Sequence, residues 1–101
     1  MGAKRYMLNV KLSINPAMRE QFLASVRNNA AGTAKEPGCR SYSWGESTRE
    51  SNVFHFQEVF DSAAAFDAHA AAPHFKEWER TFASLPGAFI APPVLDFFQE
   101  L

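Results

Sequence analysis

At 101 residues and a formal net charge of −1, the chain is the size of a single domain. It shows no clustered excess of Lys and Arg, so nucleic acid and anionic membrane surfaces are not expected partners. Hydrophobic residues make up 47% and aromatics 14%, ten of them Phe, which is more apolar surface than so short a chain readily buries alone and points to a second subunit or a pocket. Cys39 is the single cysteine and can form no internal disulfide, and the N-terminal MGAKRYMLNVKLSI has no apolar stretch long enough for a signal peptide or membrane span. The expectation is one cytoplasmic domain over residues 1–101.

Tyr6 to Ile14 alternates, with Tyr6, Leu8, Val10, Leu12 and Ile14 on one face and Met7, Asn9, Lys11 and Ser13 on the other, which predicts the first strand. Asn15-Pro16 reads as a cap followed by proline at the first helical position, and Met18, Phe22, Val26 and Ala30 recur every four residues. A helix is therefore predicted over Pro16 to Ala31, ended by Gly32, with Glu36-Pro37-Gly38 turning into the next strand. Cys39 to Ser47 is the second strand, with Tyr42 and Trp44 on one face and Ser41, Ser43 and Gly45 on the other, where the small residues leave room for a helix, a subunit or a ligand. The polar TRESN, Thr48 to Asn52, is of hairpin length.

Val53 to Phe60 is the third strand, carrying Phe54, Phe56, Glu58 and Phe60 on one face and Val53, His55, Gln57 and Val59 on the other. Asp61-Ser62 offers a side-chain oxygen to cap a helix beginning at Ala63, on which Phe66 and His69 share a face. Pro73 should break or kink that helix, and Phe75, Trp78, Phe82 and Leu85 form the stripe of the segment beyond it. Pro86-Gly87 and Pro92-Pro93 bracket a loop, and Val94 to Gln99 is the last strand. The order β-α-β-β-α-β is the ferredoxin-like, split βαβ arrangement, α+β with a four-stranded antiparallel sheet and both helices on one face. Aromatics expected on the uncovered face favour pairing with a second copy, giving a homodimer whose two sheets close a barrel.

His69 and His74 flank the break beside the strand carrying Glu58, which places the candidate site there. An unpaired Glu58 would be costly to bury, so a partner such as His69, His74 or an arginine is expected. No metal is expected, because His69 and His74 stand five apart, poorly placed to converge on one ion from a single helix, and no H-E-x-x-H run occurs. No Gly-rich phosphate loop is present, so bound nucleotide or flavin is not expected.

The run EPGCRSYSWGE, followed by FHFQEVFDSAAAFDAHAAAPHFKEW, resembles the antibiotic biosynthesis monooxygenase (ABM) domain family. Its elements here are Glu36-Pro37-Gly38-Cys39, Glu58-Val59-Phe60, Ser62 to Ala65, His69 and Pro73-His74-Phe75, and the resemblance covers nearly the whole chain. It implies a dimeric α+β barrel and a small-molecule oxidoreductase of the kind that oxygenates phenolic or polycyclic aromatic substrates to quinones without cofactor, the deprotonated phenol reducing oxygen itself. An isomerase of a small carbonyl compound, or a non-catalytic small-molecule-binding dimer, is the alternative. Haem-degrading relatives place a Trp near the position of His69 and a haem ligand near that of Glu79, a departure that argues against haem. In this reading His69 is the acid/base with Glu58 beside it, and Asn9, Tyr42, Trp44, Phe56, Phe66, His74 and Trp78 line or polarise the substrate cavity.

Overall fold

Strand register follows from the alternation of apolar and polar residues, because a slip of one position would turn every buried side chain outward. In the computed structural model, which describes residues 3–101, β1 (Tyr6–Ser13), β2 (Cys39–Glu46), β3 (Val53–Phe60) and β4 (Val94–Gln99) form one antiparallel sheet in the order β2-β3-β1-β4. Two rows cross the covered face: Tyr42, Glu58, Leu8 and Phe97, then Trp44, Phe56, Val10 and Leu95. The ferredoxin-like α+β order is as the sequence predicts.

Helix α1 (Arg19–Thr33) follows a 3-10 turn, Pro16–Met18, in which the Asn15 side chain accepts from the Ala17 N–H. Its ring at Phe22 lies 4.5 Å from Phe54 and 5.4 Å from Phe82, so this residue joins helix, sheet and C-terminal helical segment. Leu8, Leu12, Ile14, Val26 and Phe60 complete the buried core around it. α1 continues through Gly32 rather than stopping before it, because the next residue, Thr33, is fully buried and its hydroxyl donates to the Asn29 carbonyl at 2.8 Å.

Ser62 caps α2 (Ala63–Ala71), accepting from the Ala65 N–H at 3.1 Å. At Ala72 the backbone turns extended (φ −70°, ψ 149°), and Pro73 opens a separate helix, α3 (Pro73–Trp78), where its missing N–H costs nothing. A π-helical turn, Glu79–Ala83, follows and buries Phe82. The break expected at Pro73 is thus complete. Among the described residues no helix is long and apolar enough to cross a membrane.

The uncovered face differs from expectation. Tyr42, Trp44 and the β3 phenylalanines all look toward the helices, leaving Asn9, Lys11, Ser43, His55 and Gln57 on the open side, with Met7, Val59 and Phe98 as its apolar row. Apolar exposure concentrates instead on β4, where Val94, Leu95, Phe97 and Phe98 are each close to half exposed.

The α1 start is tied to the β2–β3 hairpin by a bidentate pair: Arg19 Nη1 and Nη2 each lie 2.7 Å from a Glu46 oxygen. Glu46 also accepts from the Asn52 N–H at 2.7 Å, at the residue whose φ of 63° makes the turn. The hydrogen bonds from Arg19, then that from the Asn52 backbone, hold the Glu46 carboxyl down to about 2. Because the folded value lies below the ordinary 4.5, this carboxylate favours folding above pH 4.5, and that support is lost as pH falls toward 2. Urea unfolding across this window should show wild type losing stability more steeply than Glu46→Gln; parallel curves would contradict it.

Candidate active site

The covered face of the sheet does not pack solidly against the helices. Between them lies a cavity of about 280 Å³, near the lower end of the range for small-molecule sites. Leu8, Val10 and Phe56 form its floor; Phe66, Phe75 and Trp78 close it from the α2–α3 side, and Phe89 and Leu95 from the C-terminal side. Four polar side chains enter this apolar space: Asn29 from α1, Tyr42 from β2, Glu58 from β3 and His69 from α2.

Each polar group is held in a distinct electrostatic state. Glu58 is buried, and that burial, with the negative charge of Glu36 second, pushes its carboxyl up to about 7. Burial, then the neighbouring Glu58 charge, raises Tyr42 well above the ordinary phenol range, so its O–H stays a donor. Asn29 is 5% exposed, and its Oδ1 has no hydrogen-bond partner among the described residues. Such a buried acceptor costs about 1–3 kcal/mol unless a ligand or water supplies a donor.

His69 is 2% exposed, its ring packed 5.0 Å from Phe60 and 5.1 Å from Phe75. Its Nδ1 lies 2.8 Å from Glu36 Oε2, and its Nε2 3.9 Å from Glu58 Oε1. His74 Nε2 contacts the same Glu36 oxygen. A carboxylate only accepts, so in the neutral rings Nδ1 of His69 and Nε2 of His74 carry the protons, leaving His69 Nε2 with a free lone pair. His69 and His74, five apart, are poorly placed to converge from a single helix; the break at Ala72 puts them on two helices, and His74 meets the Glu36 oxygen that His69 also meets.

The family model for antibiotic biosynthesis monooxygenase (ABM) matches residues 5–81. The chain belongs to the ABM family. A solved structure from Caulobacter crescentus, named as a candidate antibiotic biosynthesis monooxygenase, superposes with a TM-score of 0.87 at 23% identity over 98% of this chain and 92% of that one. One from Nitrosomonas europaea, named likewise, gives 0.84 at 22% identity, covering 95% and 98%. A Bacteroides thetaiotaomicron protein described as a possible oxidoreductase gives 0.82 at 27% identity, covering 96% and 98%. The Synechocystis protein sll1783 is 37% identical over 67 residues, 66% of this chain, and the match spans only 46% of that longer protein.

Against this ABM fold, the residues singled out in the sequence divide. Glu58, His69, Tyr42, Phe56, Phe66 and Trp78 meet at the cavity. Asn9 lies on the opposite face of the sheet, in a shallow depression with Lys11, His55 and Asp96, because it alternates out of phase with Leu8 and Val10. Trp44 is stacked on Phe56 at 5.8 Å and supports the floor from outside the cavity, and His74 faces Glu36 rather than the cavity. Two further residues contribute that the sequence pattern does not mark as site residues: Glu36, which reads as part of the turn into β2, and Asn29, which continues the buried α1 stripe of Phe22, Val26, Asn29 and Thr33, whose steps of three and four a strict four-residue count passes over.

The E-P-G-C turn of this ABM chain has a local reason. A Cβ on Gly38 would stand 2.6 Å from the Ala65 Cβ, so glycine lets the turn lie directly on α2 while Glu36 reaches His69. A Cβ on Gly32 would stand 2.4 Å from His74 Cγ and 2.7 Å from its Cβ, so glycine also seats that ring. Alanine at position 32 gains up to about 1 kcal/mol of helix propensity, but the overpacking costs about 1–3 kcal/mol. Gly32→Ala should therefore lower the free energy of urea unfolding; a more stable variant would contradict the packing.

Proposed function

We propose that this ABM-family protein is a cofactor-independent monooxygenase that oxygenates electron-rich phenolic or polycyclic aromatic compounds to quinones. The observation that carries this reading is the apolar, aromatic-walled cavity in which a free imidazole nitrogen, a buried carboxyl, a phenol O–H and an unpartnered amide oxygen are the polar groups. Such a cavity suits a flat aromatic ring bearing a hydroxyl. The substrate hydroxyl donates to Asn29 Oδ1 or to His69 Nε2 and is held there for proton removal.

The reaction balances without an external reductant: an aromatic CH₂ compound and O₂ give the carbonyl and water. His69 Nε2 takes the proton of the enolic hydroxyl, and the Glu36 carboxylate at Nδ1 stabilises the imidazolium that forms. Tyr42 O–H stabilises the substrate oxyanion. The oxyanion gives one electron to O₂, and the caged pair couples to form a carbon–oxygen bond, giving a peroxide protonated by the imidazolium. Loss of the remaining C–H proton to the site base then breaks the O–O bond as a proton from Glu58 or the imidazolium converts departing hydroxide to water. A dry cavity favours the sequence, because it keeps the oxyanion unsolvated and reactive.

Oxygen uptake with anthrones and hydroxylated naphthalenes tests the reading. His69→Ala and Glu58→Gln should each lower kcat by about 10²–10⁴-fold. Asn29→Leu should raise KM while leaving stability unchanged or higher by about 1 kcal/mol, since it removes a buried orphan acceptor. Uptake equal to wild type in His69→Ala would overturn the assignment, and tight binding of the aromatics without any uptake would favour a binding protein or an isomerase.

We propose further that the working form is a homodimer. The exposed apolar row of β4, at the edge of the sheet, is a surface that a lone chain would leave in water, and a two-fold partner would cover it twice over. Light scattering should give twice the 11.3 kDa mass of one chain, and Phe98→Glu should halve it. A monomeric wild type would contradict this.

A further inference from the structure

Glu36, His69 and His74 gather on the side of the His69 ring away from the cavity, which His69 alone of the three lines. We propose that these side chains form a binding site for one divalent transition metal ion of the zinc class. Their donor atoms, two imidazole nitrogens and one carboxylate oxygen, all lie within 4.8 Å of one another. Ligand bonds of about 2.0–2.2 Å in tetrahedral array set donors roughly 3.4 Å apart, so the Glu36 oxygen must draw back from the 2.8 Å it keeps to His69 Nδ1 and further from His74 Nε2, which it meets more closely. Rotation about the bonds of the Glu36 side chain, which is 15% exposed, would supply that.

The site is built from three independently anchored elements. His69 ends α2, wedged between Phe60 and Phe75; His74 begins α3, seated on Gly32; and Glu36 stands in the turn that Gly38 presses against Ala65. Two imidazoles with one carboxylate select zinc, cobalt or nickel over magnesium and calcium, which prefer oxygen donors throughout. The Glu36 and His74 side chains are 15% and 18% exposed, leaving an entry path and a fourth position for water, whereas His69 is 2% exposed. On the far side of the His69 ring, Glu58 Oε1 stands 3.9 Å from Nε2, beyond hydrogen-bond distance, and a small closing movement would let it accept from a metal-bound imidazole.

Resting on the proposed oxygenase reading, occupation has a consequence for turnover. An ion on Nδ1 displaces its proton, and the neutral ring then carries hydrogen on Nε2, so His69 has no lone pair for the substrate. Metal binding therefore switches the site off.

Calorimetric titration of Zn²⁺ into the tag-free, chelator-treated chain tests the site without any substrate, with Co²⁺ absorption reporting coordination geometry. One Zn²⁺ per chain is expected. His74→Ala and Glu36→Gln should each weaken binding by more than the roughly 10–100-fold that losing an outer partner costs. His55→Ala, an exposed histidine on the opposite face, should bind as wild type does. Glu36→Gln also loses a structural contact, so the partly exposed His74→Ala carries the test if the former fails to fold. Absence of binding, or equal binding in wild type and His74→Ala, would overturn the site. Binding that leaves oxygen uptake unchanged would keep the metal site and remove His69 from its role as base.

Discussion

A single carboxylate oxygen organises the centre of this molecule. Glu36 Oε2 meets Nδ1 of His69 and Nε2 of His74, and so joins the α1–β2 turn to both sides of the break between α2 and α3. Pro73 breaks the helix, and the two short helices, of nine and six residues, are directed by the packing of Phe66 and Trp78 on the core, to which Glu36 adds a polar tie. Two glycines make the join sterically feasible: Gly38 lets the turn approach α2, and Gly32 gives His74 its seat. This contact, together with the Phe60 and Phe75 rings packed against His69, sets the orientation of its imidazole and with it the chemistry available inside the cavity.

The cavity itself departs from what stability alone would favour. A buried carboxyl at Glu58, with its ionisation pushed up to about 7, and an acceptor at Asn29 without a partner among the described residues are each costly in an apolar interior. Local inconsistencies of this kind concentrate at functional sites, where a ligand supplies the missing partner. Around them the aromatic packing is dense: Phe22 against Phe54 and Phe82, and Phe66 against Tyr6, Phe60 and Phe97. That rigid frame holds the polar groups in place.

Much of this frame was legible in the sequence. Strand faces came from period-two alternation, the Ser62 cap and the Pro73 break from local backbone chemistry, and these are short-range effects that a single sequence records. What could not be read were contacts between residues far apart in the chain. Glu36 and His69 are separated by 33 positions, and two histidines five apart are poorly placed to converge only on an unbroken helix. Alternation says that Tyr42 and Trp44 share a side but not which side the helices take; both lie under the helices, and Phe98 is the aromatic on the open face. Asn29 was missed because a polar residue on a helix is ordinarily solvated, and only the burial of its neighbours Val26 and Thr33 reveals its direction.

Nitrogen-15 spectra of the His69 imidazole, recorded on chelator-treated wild type and Glu36→Gln, test the central role of that carboxylate most directly. The account predicts a single fixed tautomer in wild type, protonated at Nδ1 and bare at Nε2, and an averaged pair of resonances once the carboxylate is gone. Averaged resonances in wild type, or identical spectra in the two proteins, would contradict it.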